Sequence, residues 1–375
     1  MNKKKYIVSF PNLGNYHVPI KRLLLRLLDH PDIEVLPPEK TSKKTLEIGS
    51  QVSPDFVCVP FKYNMGNFIE SLEKGANVII QAGGGCRYGY YAQVQEQILK
   101  DMGYQFTYIS LMDANGVNAI QVYQKFKALN PHLKMNTFIR EFLIAIKMIE
   151  IQDELETYMR DHIVFEKEKQ AFTKLHHMFL KELASVDSMV ALLQVKKVYF
   201  DKLYHIELDT KKEKQILKVG IVGELYTSME PFSTFFLEKE LANMGIQTKR
   251  YTTVTYLLFG KGRAQKKLLK TANAYVNYAL GADGLETVAH TLELIEQGYD
   301  GIIHIKPFGC TPEINAMPIL QKISAEKEIP ILYFTFDSQT SETGIKTRLE
   351  AFYDMLQMKK EQEESKEGNF AMNEN

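Results

Sequence analysis

The sequence predicts an α/β protein: two Rossmann-like parallel-sheet domains joined by a helical segment. Three observations carry that prediction. Short β-rich runs alternate with helical ones over the first third of the chain, the spacing of parallel strands with crossover helices. The middle third shows apolar residues at i, i+3, i+4 and i+7 and no strand signal. A second strand–helix alternation then repeats the outline of the first. At 375 residues the chain is also longer than one ordinary domain.

The elements follow in order. YIVSF at 6–10 reads as a strand broken by Pro11 and Gly14, and PIKRLLLRLL at 19–28 as a helix. Strands are expected at 33–36, 56–59, 78–81 and 106–110, with helices at 65–74 and 91–102. These make an N-terminal α/β domain over 1–130. Residues 131–215 form the helical connecting segment, ending in the polar stretch DTKKEKQ. The C-terminal α/β domain, 216–358, opens with the strand LKVGIV and GELY, then a helix at 235–244. Its further strands are expected at 248–251, 301–305 and 329–336, and its last helix at 345–358. The tail at 359–375 is charged, poor in apolar residues and expected to be disordered.

Composition narrows the function classes. Lys plus Arg and Asp plus Glu are equal at 46 each, so no nucleic-acid or anionic-membrane surface is expected. No apolar run approaches the roughly 20 residues that cross a bilayer. The basic start is followed by too short an apolar stretch for a signal peptide, so the expected localisation is cytoplasmic. Three cysteines cannot build a disulfide framework.

Each cysteine follows an expected strand: Cys58 in DFVCVP, Cys86 after VIIQAGGG, and Cys310 after GIIHIKPFG. The crevice beyond the carboxyl ends of parallel strands is where ligands bind. Gly83, Gly84, Gly85 and Gly309 let backbone amides approach a bound group closely. Thiolates select iron–sulfur clusters, zinc or copper(I). No C-x₂₋₄-C pair of a structural zinc site is present, and three thiolates suit a [4Fe–4S] cluster with one open iron. Isolated cysteines also serve as small buried hydrophobes, and spacing alone leaves that alternative open.

The surrounding motifs say more. DFVCVPFKYNMGNFIESLEKGANVIIQAGGGCRYGYY at 55–91 resembles the 2-hydroxyacyl-CoA dehydratase subunit family, which includes 2-hydroxyglutaryl-CoA dehydratase component D. It is most similar to the CoA-substrate-specific enzyme activase branch. GELYTSMEPF, ETVAHTLELIEQGYDGIIHIKPFGCTPEINAMPIL and IPILYFTFDSQTSETGIKTRLEAFYDML carry the same likeness, which spans about 6–128 and 216–356. The resemblance implies a [4Fe–4S] cluster held by Cys58, Cys86 and Cys310. It also implies a homo- or heterodimer with a related subunit and a separate ATP-dependent [4Fe–4S] activator protein. The implied reaction is one-electron dehydration of a 2-hydroxyacyl-CoA through a ketyl radical, a lyase chemistry. The chain itself has no G-x-x-x-x-G-K-[ST] phosphate loop. It departs from the family at 337–342, reading DSQTSE where D-E-H-T-G-E is common, and at Gly84-Gly85-Cys86, where G-P-C is common. A low-potential electron-transfer or reductase component and a metal-free structural or regulatory homologue are the alternatives.

Other residues stand beside the cysteines. Arg87 and Lys62 are candidate substrate-binding cations, the alternatives being a surface salt bridge and a solvated loop. Glu224 and Tyr226 are candidate acid/base groups or anchors, a helix cap being the alternative for that position. Asn64 shares the loop reading of Lys62. His304 and His290 read first as satisfied core histidines. Glu313 suits a helix N-terminus through the macrodipole alone. His176 and His177 lack an i+4 partner and read as surface residues, and Gly14 offers a phosphate-binding turn.

Overall fold

A computed structural model describes residues 5–82, 90–112, 117–209, 211 and 216–373. Its first sheet contains β1 (Tyr6–Ser9), β2 (Ile33–Val35), β3 (Val78–Gln81) and β4 (Thr107–Ser110), all parallel, in the order β2-β1-β3-β4. Helix α1 (His17–Leu27) joins β1 to β2. Helices α2 (Lys43–Val52) and α3 (Val59–Glu73) precede β3, α4 (Tyr91–Asp101) precedes β4, and α5 (Ala119–Leu129) follows it. Then come the long helices α6 (Met135–His162), α7 (Ala171–Ser185) and α8 (Met189–Tyr204).

The second sheet repeats the design. Strands β5 (Lys218–Gly223), β6 (Gln247–Arg250), β7 (Gly301–Pro307) and β8 (Ile331–Phe336) are parallel, in the order β6-β5-β7-β8. Helices α9 (Leu225–Met229) and α10 (Leu237–Asn243) lie between β5 and β6. Helices α11 (Lys261–Ala272) and α12 (Gly284–Glu296) precede β7, α13 (Thr311–Lys327) precedes β8, and α14 (Glu342–Asn373) closes the chain. Two Rossmann-like parallel-sheet domains are therefore present. One compact unit holds the first sheet, runs to Glu156, and takes in Glu168–Glu207 and Thr253–Leu258. The other holds Thr157–Lys167, Leu208–Thr252 and the chain from Phe259 onward.

The central strands are apolar because helices cover both of their faces. In β3, Val78 and Ile80 join one core with Leu24, Leu27 and Phe126, whereas Ile79 points to the other with Phe61, Phe68 and Leu99. Each buried side chain of this size contributes about 1.5–3 kcal/mol relative to exposure. In the second unit, Leu285, Val288, Ala316 and Leu320 bind α12 to α13.

Four differences from expectation have local causes. The expected strand at 56–59 is absent: Cys58 is the N-cap of α3, and Pro60 sits in its first turn. There a proline lacks only a donor that the helix would not use. Helix α2, which the sequence reading missed, packs so closely on α3 that a Cβ at Gly49 would lie 1.8 Å from the Lys62 carbonyl oxygen. One at Gly66 would lie 1.9 Å from that of Thr45. The two glycines that weaken the helical signal are thus what let the backbones meet. The helix expected from 235 starts at Leu237, because Phe235 and Phe236 both take left-handed conformations, φ 52° and 58°. Finally, α14 continues to Asn373 through the segment expected to be disordered. That segment is rich in strong helix formers, and Lys359 and Glu363 face each other at i, i+4. No helix among the described residues is long and apolar enough to cross a membrane.

Candidate functional site

In each sheet the strand order reverses between the first and third strands, so β1/β3 and β5/β7 flank the two switch points. Of the sequence-predicted site residues that are described, Glu224 and Tyr226 follow β5 and Cys310 follows β7, whereas Cys58 and Lys62 belong to α3.

In the second unit, β5 ends at Gly223, with φ +136° and a virtual Cβ 1.8 Å from the Ile305 carbonyl oxygen. Only glycine allows β5 that close to β7. The Glu224 N–H then donates to the same Ile305 oxygen at 3.0 Å. The Glu224 carboxylate is the N-cap of α9, accepting from the Tyr226 N–H (3.0 Å), the Thr227 N–H (2.9 Å) and Thr227 Oγ1 (2.6 Å). The helix-cap alternative for this residue is therefore realised. Capping does not exhaust it, because burial first, and the neighbouring Asp283 second, push its acid up to about 7 against those three hydrogen bonds. Tyr226 is buried within α9.

Asp283 occupies the N-cap position of α12, accepting from the Leu225 N–H (3.2 Å) and from Lys261 Nζ (2.5 Å). Lys261 also lies 3.4 Å from Glu286. Burial opposes its charge, but the two carboxylates prevail and raise its pKa. Glu224, Asp283, Glu286 and Lys261 thus form a mixed-charge cluster at the end of β5. The sequence reading had singled out only Glu224. The signal for Asp283 was present in GADGLE, an acidic cap before a helix, whereas nothing in the sequence marks Lys261.

Cys310 follows β7 through Gly309 and is the N-cap of α13, with Pro312 in the first turn and no side-chain capping bond. Beneath it Glu313 is fully buried. Its Oε2 pairs with His304 Nε2 at 2.8 Å and accepts from Thr287 Oγ1 at 3.0 Å. This corrects the macrodipole-only reading of Glu313. His304 is a core histidine, as read from sequence, but one held by a buried carboxylate. His290 is also mostly buried, with Nδ1 2.9 Å from Glu293 and its ring stacked on Tyr251. In the 337–342 segment, Asp337 accepts from the Gln339 N–H and from Thr340 Oγ1, folding the loop onto itself.

In the first unit, Cys58 Sγ lies 2.6 Å from the Tyr91 hydroxyl, and Tyr91 packs edge-on against Phe61. Tyr91 opens α4, directly beyond the segment 83–89 that contains Cys86 and Arg87. Those two residues lie outside the described residues. On the other side of that segment, Gln81 Nε2 donates to Gln95 at 2.6 Å. Both flanks are therefore anchored, one of them on Cys58. Lys62 and Asn64 are on helix α3, not in the loop that the sequence suggested. His176 is also not a simple surface residue, since its Nε2 meets Glu156 at 3.0 Å; His177 is exposed. Gly14 has φ 47° and its carbonyl meets His17 Nδ1 at 2.8 Å.

Among the described residues no three His, Cys, Asp or Glu side chains gather where they could hold a metal ion, and Cys86 is not one of those residues. The donor chemistry of the two described thiols fits an anionic ligand role. Each caps the N-terminus of a long helix without spending its sulfur on the cap, and the positive helix end favours a thiolate.

The family model for 2-hydroxyglutaryl-CoA dehydratase, D-component, matches residues 249–356, a stretch that includes β7, Cys310 and α13. The match bears out the resemblance to the 2-hydroxyacyl-CoA dehydratase subunit family and supports a dehydratase component. No curated protein matches the chain.

Proposed function

We propose, on the premise of that D-component match, that this chain is a cytoplasmic subunit for one-electron dehydration of a 2-hydroxyacyl-CoA. Cys58, Cys86 and Cys310 would hold a [4Fe–4S] cluster, which when bound supplies a low-potential electron and an open iron acting as Lewis acid on the substrate oxygen. The observation that carries this reading is the family match over the segment in which Cys310 caps α13 at the β7 switch point. Cys58 likewise stands at a helix head, that of α3, with no side-chain capping bond, which supports it.

The chain's own residues would do the rest. Glu224, poised near neutrality, can take or return a proton at its carboxylate without leaving the α9 cap. Tyr226 and the cations Arg87 and Lys62 would orient the acyl-CoA, the cations through its phosphates. No phosphate loop is present in the sequence, so the ATP-dependent electron would come from a separate activator protein, and a related subunit would complete a dimer.

The test is iron and acid-labile sulfide per chain after anaerobic purification, with Cys58→Ala, Cys86→Ala and Cys310→Ala in parallel. Four irons per chain, about the content of one cubane, lost in each variant, is the expected result. Absence of iron after reconstitution would overturn the cluster and the radical chemistry together. A second reading, an electron-transfer or reductase component, draws on the 337–342 turn, whose Asp337 is committed to its own loop. Under that reading 2-hydroxyacyl-CoA leaves the cluster's spectrum unchanged.

A further inference from the structure

Lys306 is a lysine inside a strand whose other residues are apolar but for His304. All seven residues of the strand are buried, and Lys306 is 5% exposed. Strand alternation puts it on the face of His304, which meets Glu313 of α13. Yet among the described residues Lys306 makes neither a hydrogen bond nor an ion pair. Cys310 and Glu313 act on it electrostatically without bonding to it; Oε2 of Glu313 serves His304 and Thr287, and its Oε1 has no hydrogen-bond partner. Burial pulls the ammonium's pKa down, and those two neighbours only partly oppose it. A buried ammonium with no hydrogen-bond partner is costly and is favoured where a ligand supplies one. Its position, one residue before the end of β7 and across the switch point from Glu224, is where parallel sheets bind ligands.

We propose that Lys306 is an oxyanion-binding residue, its ammonium held for the carboxylate or carbonyl oxygen of a 2-hydroxyacyl group entering at the ends of β5 and β7. The coenzyme A thioester form of that ligand rests on the dehydratase reading, whereas the anion site itself does not.

The experiment uses the full chain and measures binding of three probes, 2-hydroxyglutarate, 2-hydroxyglutaryl-CoA and coenzyme A alone, to wild type, Lys306→Met and Lys306→Arg. Thermal denaturation without ligand accompanies each. Loss of one charge-assisted hydrogen bond predicts a roughly ten- to hundredfold weaker affinity of Lys306→Met for both acyl probes. Coenzyme A alone binds the two proteins equally, and Lys306→Arg recovers most of the acyl affinity. The ligand-free midpoint rises in Lys306→Met, because a buried ammonium without a hydrogen bond is gone; a lysine serving only the fold would give a fall instead. Acyl probes that bind wild type and Lys306→Met equally overturn the proposal and leave the dehydratase reading standing. Lys306-dependent binding of 2-hydroxyglutarate with no binding of its thioester does the reverse. No binding of either acyl probe to wild type overturns both.

Discussion

The two sheets share one strand order, and in each a pair of helices leads into the third strand: α2–α3 before β3, α11–α12 before β7. At the head of the second helix of each pair the units diverge. Cys58 stands there in one, against the Tyr91 hydroxyl; Asp283 stands there in the other, paired with Lys261. After the third strand both units place a cysteine, Cys86 and Cys310. One backbone position thus presents a soft sulfur donor in the first unit and a carboxylate paired with a lysine in the second. The fold supplies the position, and the residue decides the chemistry.

The helix pairs differ in how they are held. Glycines bring α2 and α3 into backbone contact, whereas side chains span α11 and α12 through Lys261–Asp283, Lys261–Glu286 and Lys267–Glu293. The sharpest way to break that comparison is Gly49→Ala or Gly66→Ala. Each new methyl would meet a backbone carbonyl that cannot rotate away, so a loss of about 3 kcal/mol or more is expected in chemical denaturation. A loss under 1 kcal/mol, about the noise of surface substitutions, would mean the helices part easily.

Next in size is Glu313→Ala, which leaves His304 without its partner in a fully buried setting. It should cost about 2–4 kcal/mol by the same measurement, and Glu313→Gln should recover part of it.

Glu224 gives a pH-dependent effect. Its acid rises from 4.5 to about 7 on folding, so the folded state holds the proton more tightly. Its contribution to stability is therefore lost as pH climbs from 4.5 toward 7. In Glu224→Gln that loss, about 1–3 kcal/mol, should vanish from the stability–pH profile. Superimposable profiles for the two proteins would show that the carboxylate is an ordinary cap. The smallest effect belongs to Gly262→Ala in α11, where a Cβ meets nothing within 4 Å. Thermal denaturation should register a gain of about 0.5–1 kcal/mol, opposite in sign to the α2–α3 glycines.

Much of the framework was legible because it rests on local periodicity. The run at Val78–Gln81 reads as a strand in sequence and is one, since its apolar residues are adjacent and need no partner to be recognised. Glu224 was legible as a residue after a strand. What hid was whatever depends on a distant neighbour. The DFVCVP run has strand composition, but Pro60 and packing against α2 make it a helix start. Lys306 looks like a charge interrupting a strand until its burial is seen, and Lys261 carries no motif at all.

By itself, then, the sequence determined the α/β class, the doubled outline, the apolar central strands and the three thiols with their family likeness. Those follow from residue types and short spacings. Only the tertiary structure decided that Cys58 heads a helix and touches Tyr91, that Glu313 turns inward to His304, and that Lys306 lies buried without a hydrogen-bond partner. Each of these depends on which side chains meet in space across separate elements and on how much water remains around them, quantities that no local pattern encodes.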